Sequence, residues 1–181
     1  MIEKTMIKDL VIITPQIFED DRGYFFESYN EKKLSELGIT TKFIQDNQSY
    51  STYGTLRGMH LQKGEHAQAK LVRVTRGKVL DIVVDLRTNS ETFGHSFSTT
   101  LSEENNKQLY IPRGFAHGFV VLSKAAVFQY KVDNYYHKES EAGFMYNDPE
   151  LSINWKIDEK DIKLSKKDLI LPSFSELSET L

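Results

Sequence analysis

The chain contains no cysteine, which excludes disulfides, thiolate metal sites and a cysteine nucleophile. No apolar run approaches the length of a membrane span, so no membrane partner is expected. Residues 1–10 mix acids, bases and apolar side chains and hold no signal-peptide core. The expected location is the cytoplasm. Neither sign of charge is in excess: 23 Lys and Arg stand against 26 Asp and Glu, a net of −3. Nucleic-acid proteins usually show a strongly basic face, and that class is not expected here. There is no Gly-rich dinucleotide fingerprint, no internal repeat and no linker. The alternation of strands with long helices that marks a parallel βαβ chain is also missing.

What remains is an ordinary globular composition, 39% hydrophobic and 27% charged. Its 181 residues suit one domain over 1–181, able to bury roughly 70% of its unfolded surface. Strand signals dominate. Residues 71–74 alternate, Arg76-Gly77 punctuates, and 79–86 run on, which predicts a hairpin of two half-buried strands. Further strands are predicted at Phe43-Ile44, 96–101, 108–111, 119–122 and 126–132. The turn residues Asn89-Ser90, Asn105-Asn106, 112–114 and Ser123-Lys124 separate them. Short strands at this spacing predict an all-β sandwich or barrel. Helices are few. Asn30 caps a short one through Leu34 and Leu37 that Gly38 stops. Residues 165–168 fit a capping-type turn, and 173–181 form a short helix or a frayed tail.

Three features carry chemistry. The first is Leu56-Arg57-Gly58-Met59-His60-Leu61-Gln62. Strand alternation sets Arg57 on the opposite face from Leu56 and Gly58, and Gly58 makes a bulge possible. Whether Arg57 and His60 share a face is therefore open. A lone strand histidine is also well explained as a hydrogen-bonded structural residue. The second feature is Pro112-Arg113-Gly114-Phe115-Ala116-His117, which resembles the second half of the cupin signature. The first half of that signature, a His-x-His pair, is incomplete at His60-Leu61-Gln62, and His66 does not restore it. Metal sites usually need three protein ligands or more, so a cupin-like barrel without a metal is expected. The third feature is a set of cations, Arg22, Arg57, Lys70 and Arg73. They matter only if the fold gathers them around one cavity, where guanidinium forks suit phosphate oxygens.

A family resemblance joins these pieces. Phe18-Glu19-Asp20-Asp21-Arg22-Gly23, the Gln45-Asp46-Asn47 stretch, Leu56 to His60, Lys70-Leu71-Val72-Arg73, Phe115-Ala116-His117, Tyr130-Lys131, Tyr135-Tyr136, Asn147-Asp148-Pro149 and Leu164 to Asp168 resemble, in order, the motifs of the dTDP-4-dehydrorhamnose 3,5-epimerases. The series runs from about residue 8 to 172, nearly the whole chain. The resemblance implies an all-β, cupin-like double-stranded β-helix (jelly roll) with a few short helices, working as a homodimer without cofactor or metal. It implies His60 as general base, Tyr130 as general acid and Asp168 as the carboxylate that orients His60. It places Arg22, Glu27, Gln45, Asn47, Arg57, Lys70, His117, Tyr136 and Glu141 around a dTDP-linked 4-keto-6-deoxy sugar. Asp168 has a plainer reading as the close of the Ser165 turn, and Tyr130 as a core residue of an alternating strand. Where the family reads Leu-His-Tyr-Gln, this chain has Met59-His60-Leu61-Gln62, and strand parity faces Leu61 away from the base.

The implied reaction suits these residue types. A ketone at C4 acidifies the protons on C3 and C5. Inverting a carbon requires proton removal on one face and return on the other, hence two groups on opposite faces. A histidine side chain titrates near 6.5 when unperturbed, which suits proton abstraction at neutral pH. A carboxylate on its other nitrogen fixes the tautomer. The enolate at O4 needs a fixed donor, for which Lys70 is the candidate. The same residues also admit a C3-only or C5-only epimerase, a ketoisomerase on a related nucleotide sugar, or a non-catalytic sugar-nucleotide-binding cupin.

Overall fold

Thirteen strands and two short α-helices follow one another through Met1–Leu181 in the computed structural model. One antiparallel sheet has the order β1 (Ile2–Lys4), β2 (Val11–Ile13), β10 (Gln108–Ile111), β7 (Lys70–Arg76), β12 (Ala125–Val132), β5 (Gln45–Thr52). The second has the order β13 (Glu141–Gly143), β6 (Leu56–Gln62), β11 (Phe115–Val121), β8 (Lys78–Asp85), β9 (Ser96–Ser102). A separate hairpin, β3 (Phe18–Asp20) with β4 (Gly23–Phe25), stands apart from both. The fold is the cupin-like all-β architecture expected of the sequence.

The inner faces of the two sheets meet in one apolar cluster. Val72, Val74, Leu109, Ile111 and Phe128 come from the first sheet, and Val79, Val83, Leu101, Phe115 and Phe119 from the second. A second cluster lies behind the second sheet. There Leu80, Ile82, Val84 and Val120 are covered by Phe144, Trp155, Phe174 and Leu177. β8 is therefore buried on both faces, which is why it reads as a continuous apolar run.

The expected hairpin between 71–74 and 79–86 does not form. β7 pairs with β10 and β12, whereas β8 pairs with β11 and β9. At Gly77 the chain crosses from one sheet to the other, with φ of 77°. A Cβ there would stand 2.1 Å from the Ala125 carbonyl oxygen. A tight Gly turn marks a change of direction, and sequence punctuation does not say whether the next strand pairs with the last. The strands expected at 96–101, 108–111 and 126–132 are β9, β10 and β12. Phe43-Ile44 lies just before β5, whose eight residues are mostly polar and lack the apolar signal. β11 starts at Phe115, earlier than the expected 119, directly after the Pro112-Arg113-Gly114 turn.

Helix α1 (Glu31–Glu36) begins at Asn30, whose side chain accepts from the Lys33 amide, and Gly38 follows its end at φ 89°. Helix α2 (Phe174–Ser178) starts on a Ser173/Glu176 capping box and buries Phe174 and Leu177. The C-terminal stretch is thus docked, not frayed.

Polar side chains gather at one end of the interior. Along β8, Asp81 takes the inward position between Val79 and Val83. Along β11, His117 takes the one between Phe115 and Phe119. Between β6 and β11 the register runs His60↔His117 and then Arg57↔Phe119, so Gly58 and Met59 together oppose the single residue Gly118. The extra residue lets Arg57 and His60 face the interior together, while Leu56, Met59 and Leu61 join the rear cluster. Gly58 sits at φ 133°, and a Cβ on it would lie 2.5 Å from the Gly118 Cα. Gly58→Ala is expected to cost about 1–3 kcal/mol by overpacking and to lower both Tm and activity. A variant with wild-type melting and wild-type rate would contradict this account of the bulge.

Candidate active site

The polar end opens as a cavity of about 660 Å³. It is walled by Asn47 and Ser49 of β5, Arg57 and His60 of β6, Lys70 of β7, His117 of β11 and Tyr130 of β12, and is closed by Lys163, Leu164, Ser165, Lys167 and Asp168. Seven of the twelve residues expected around substrate or reaction meet here: Asn47, Arg57, His60, Lys70, His117, Tyr130 and Asp168. His60 and Tyr130 stand on different sheets, facing the same space from opposite walls.

His60 Nε2 lies 2.6 Å from Asp168 Oδ1. The imidazole donates its Nε2 hydrogen to this carboxylate, which leaves Nδ1 as the basic nitrogen. Asp168 is nearly inaccessible, at 3% side-chain exposure against 27% for His60. Burial pushes the Asp168 carboxyl up, but the His60 hydrogen bond and charge, with help from Ser165 and Lys167, hold it below the ordinary value. The plainer role is present as well: the Asp168 amide donates to Ser165 Oγ at 3.2 Å, which fixes the turn that aims the carboxylate.

Tyr130 packs against the core cluster and Phe128, yet its side chain borders the cavity. Burial raises its pKa, with Arg57 opposing, so the phenol keeps its proton near neutrality. Burial draws Lys70 down to about 8, while Asp81 and Glu141 pull the other way. Arg57 is steadied by its Nε bond to Ser51 Oγ at 3.2 Å.

The other five expected residues lie outside the wall. Gln45 supports it, donating to Asn47 Oδ1 at 2.8 Å. Glu141 accepts from the Tyr136 hydroxyl at 2.7 Å and pairs with Lys167. Tyr136 itself is exposed. Arg22 sits on the β3–β4 hairpin, 90% exposed and paired with Asp20. Glu27 pairs with Lys33 and accepts from Asn30. Arg73, the fourth cation, lies on the outer face of the first sheet, bonded to Gln129 and over the Phe26 ring. The sequence reading missed Lys163, Ser165 and Lys167, which bring two more cations to the cavity. The Leu164 to Asp168 motif contains them, but nothing local marks them from a solvated run. No helix is long and apolar enough to cross a membrane.

Two packed antiparallel sheets, with a cation-lined cavity of titratable groups at one end, define a cupin-like protein with a candidate acid–base site. Known proteins narrow this. Residues 4–176 match the family model described as dTDP-4-dehydrorhamnose 3,5-epimerase. The Escherichia coli protein of that name is 49% identical over 175 residues, covering 96% of this chain and 94% of its own length. The crystal structure of the Elizabethkingia anophelis enzyme of that name superposes at a TM-score of 0.94 with 59% identity, covering 97% of each chain. A Legionella pneumophila 3,5-epimerase, solved with dTDP-4-keto-L-rhamnose, aligns at 0.92 with 48% identity, over 96% of this chain and 92% of that one. The chain belongs to the dTDP-4-dehydrorhamnose 3,5-epimerase family.

Proposed function

We propose that the whole chain, as one cupin-like domain, inverts C3 and C5 of dTDP-4-dehydro-6-deoxy-D-glucose on the route to dTDP-L-rhamnose. His60 is the general base, Asp168 holds its tautomer, and Tyr130 returns the proton from the far face. Lys70 stabilises the enolate oxygen that forms at O4. Arg57, Lys163 and Lys167 supply positive charge suited to the diphosphate, with Gln45, Asn47 and His117 shaping the sugar site. The observation that carries the reading is the placement of His60 and Tyr130 on opposite sheets around one cavity. A binding protein has no need of such a pair.

Working as a homodimer in the cytoplasm fits the same reading. Phe18, Tyr24 and Phe25 of the β3–β4 hairpin are exposed, and a second copy would cover them.

The function is tested by product analysis. NMR of the purified chain with the keto-sugar nucleotide should show ring couplings for inversion at both C3 and C5. A product inverted at one centre, or with its carbonyl moved, would replace the proposal with a single-centre epimerase or a ketoisomerase. Activity is also expected to survive exhaustive chelation and to need no nicotinamide. His117 Nε2 faces the Asp81 carboxylate at 2.9 Å, and the residues of the cupin metal signature are incomplete. Loss on chelation with rescue by one divalent ion would contradict the proton-only chemistry.

A further inference from the structure

We infer that Asp81 is a positioning residue of this reaction, bonded to His117 behind the cavity wall that Lys70 shares, where it keeps Lys70 an ammonium ion and fixes the His117 tautomer. The inference rests on the reading of Lys70 as the group that stabilises the enolate. Asp81 fills an inward position of β8 between Val79 and Val83, where the strand pattern asks for an apolar side chain. It is wholly buried. A buried carboxylate is costly unless paired and hydrogen-bonded. Its oxygens lie 3.1 and 2.9 Å from His117 Nε2, its one side-chain partner.

The pair sits beside the first one. His117 and His60 are register partners across β11 and β6, and each holds a carboxylate, Asp81 and Asp168. The proposed proton transfers use only His60–Asp168. The second pair has a different environment, because His117 is enclosed while His60 is open to the cavity. Burial holds the His117 imidazole below its ordinary value, and Lys70 and His60 add to this against the pull of Asp81. A neutral His117 donates its Nε2 hydrogen but does not cancel the Asp81 charge. That charge is left for Lys70.

Lys70 shares the cavity wall with His117, which Asp81 holds from behind, and the charges of Asp81 on β8 and Glu141 on β13 act on it against burial. Glu141 is already engaged by Lys167 and Tyr136. The remaining charged or titratable groups on the wall are His117 from β11, Arg57 and His60 from β6, Tyr130 from β12, and Lys163, Lys167 and Asp168 from the closing segment; of these only Asp168 is a carboxylate, and it is bonded to His60. Burial works against the Lys70 proton. Asp81 is placed to offset this.

The test is the pH dependence of single-turnover kcat and of KM for wild type, Asp81→Asn and Lys70→Met. Lys70 must be charged, so the alkaline limb of wild-type kcat should fall as pH rises through about 8. In Asp81→Asn that alkaline fall should move down by about one pH unit, the size of effect one nearby charge exerts, with KM little changed. A merely structural loss would lower the whole profile without moving it. Lys70→Met should be slow by about 10²-fold, as when an oxyanion donor is removed, and should lack the alkaline fall. If Lys70→Met keeps the wild-type rate, the enolate role fails. If Lys70→Met is slow but Asp81→Asn keeps the wild-type limb, the Asp81 inference fails and the enolate role stands. Should Asp81→Asn not fold, nitrogen NMR of the wild-type protein decides. His117 should stay neutral with its proton on Nε2 from pH 6 to 8, while an Nδ1–H tautomer or a protonated ring in that range overturns the inference.

Discussion

Replacing His60 by alanine is expected to cut turnover by about 10²–10⁴-fold, the usual worth of a positioned general base, while dTDP affinity stays near wild type. His60 is a wall residue and belongs to neither apolar cluster, so its removal leaves packing in place. It does leave Asp168 buried without its imidazole partner. An unsatisfied buried polar group costs about 1–3 kcal/mol or more when charged, so the variant should melt lower. Without the His60 bond, burial drives the Asp168 carboxyl up, and the melting deficit should shrink as the pH falls and that carboxyl protonates. The pattern of a dead but folded enzyme, with an acid-relieved stability defect, separates loss of the base from general collapse. A variant keeping more than about a tenth of the wild-type rate, well short of that range, would mean that His60 is not the base.

Tyr130→Phe should separate proton removal from inversion. The phenyl ring keeps the packing against Phe128 and the core cluster, and the only group lost is the hydroxyl. His60 still removes a proton and the enolate still forms. With no donor on the opposite wall, the proton returns from solvent or from His60 itself. In deuterated water the substrate should gain label faster than inverted product accumulates, with inversion slowed by about 10²-fold or more. Equal losses of exchange and inversion would reduce Tyr130 to a binding or packing residue. Tyr136 would be a poor substitute, since its hydroxyl is already given to Glu141 and its ring is exposed.

The sequence made some parts of this molecule readable and hid others for physical reasons. Asn30 and Gly38 act locally, and the helix they bound is where the pattern puts it, whereas the Ser173/Glu176 box settles a helix in a stretch that the sequence leaves as helix or frayed tail. Strand partners are set by long-range packing, so Gly77 could be read as a turn but not as a crossover between sheets. β5 was hidden because it is polar along its length, with Asn47 and Ser49 lining a polar cavity. Alternation could not settle whether Arg57 and His60 share a wall, because the bulge at Gly58-Met59 reverses the parity. Asp81 carried a usable signal, a charged residue at an inward position of an otherwise apolar strand. Lys163 and Lys167 carried none, because a cavity-facing lysine looks like any solvated one.

In the proposed reaction, inversion proceeds by proton removal and return through groups that exchange with water. It is tested most directly by running the wild-type reaction to early product in deuterated water and reading C3 and C5 by NMR. Inverted product should carry solvent deuterium at both carbons. Inverted product that keeps its original hydrogens at C3 and C5 would contradict the His60–Tyr130 mechanism outright.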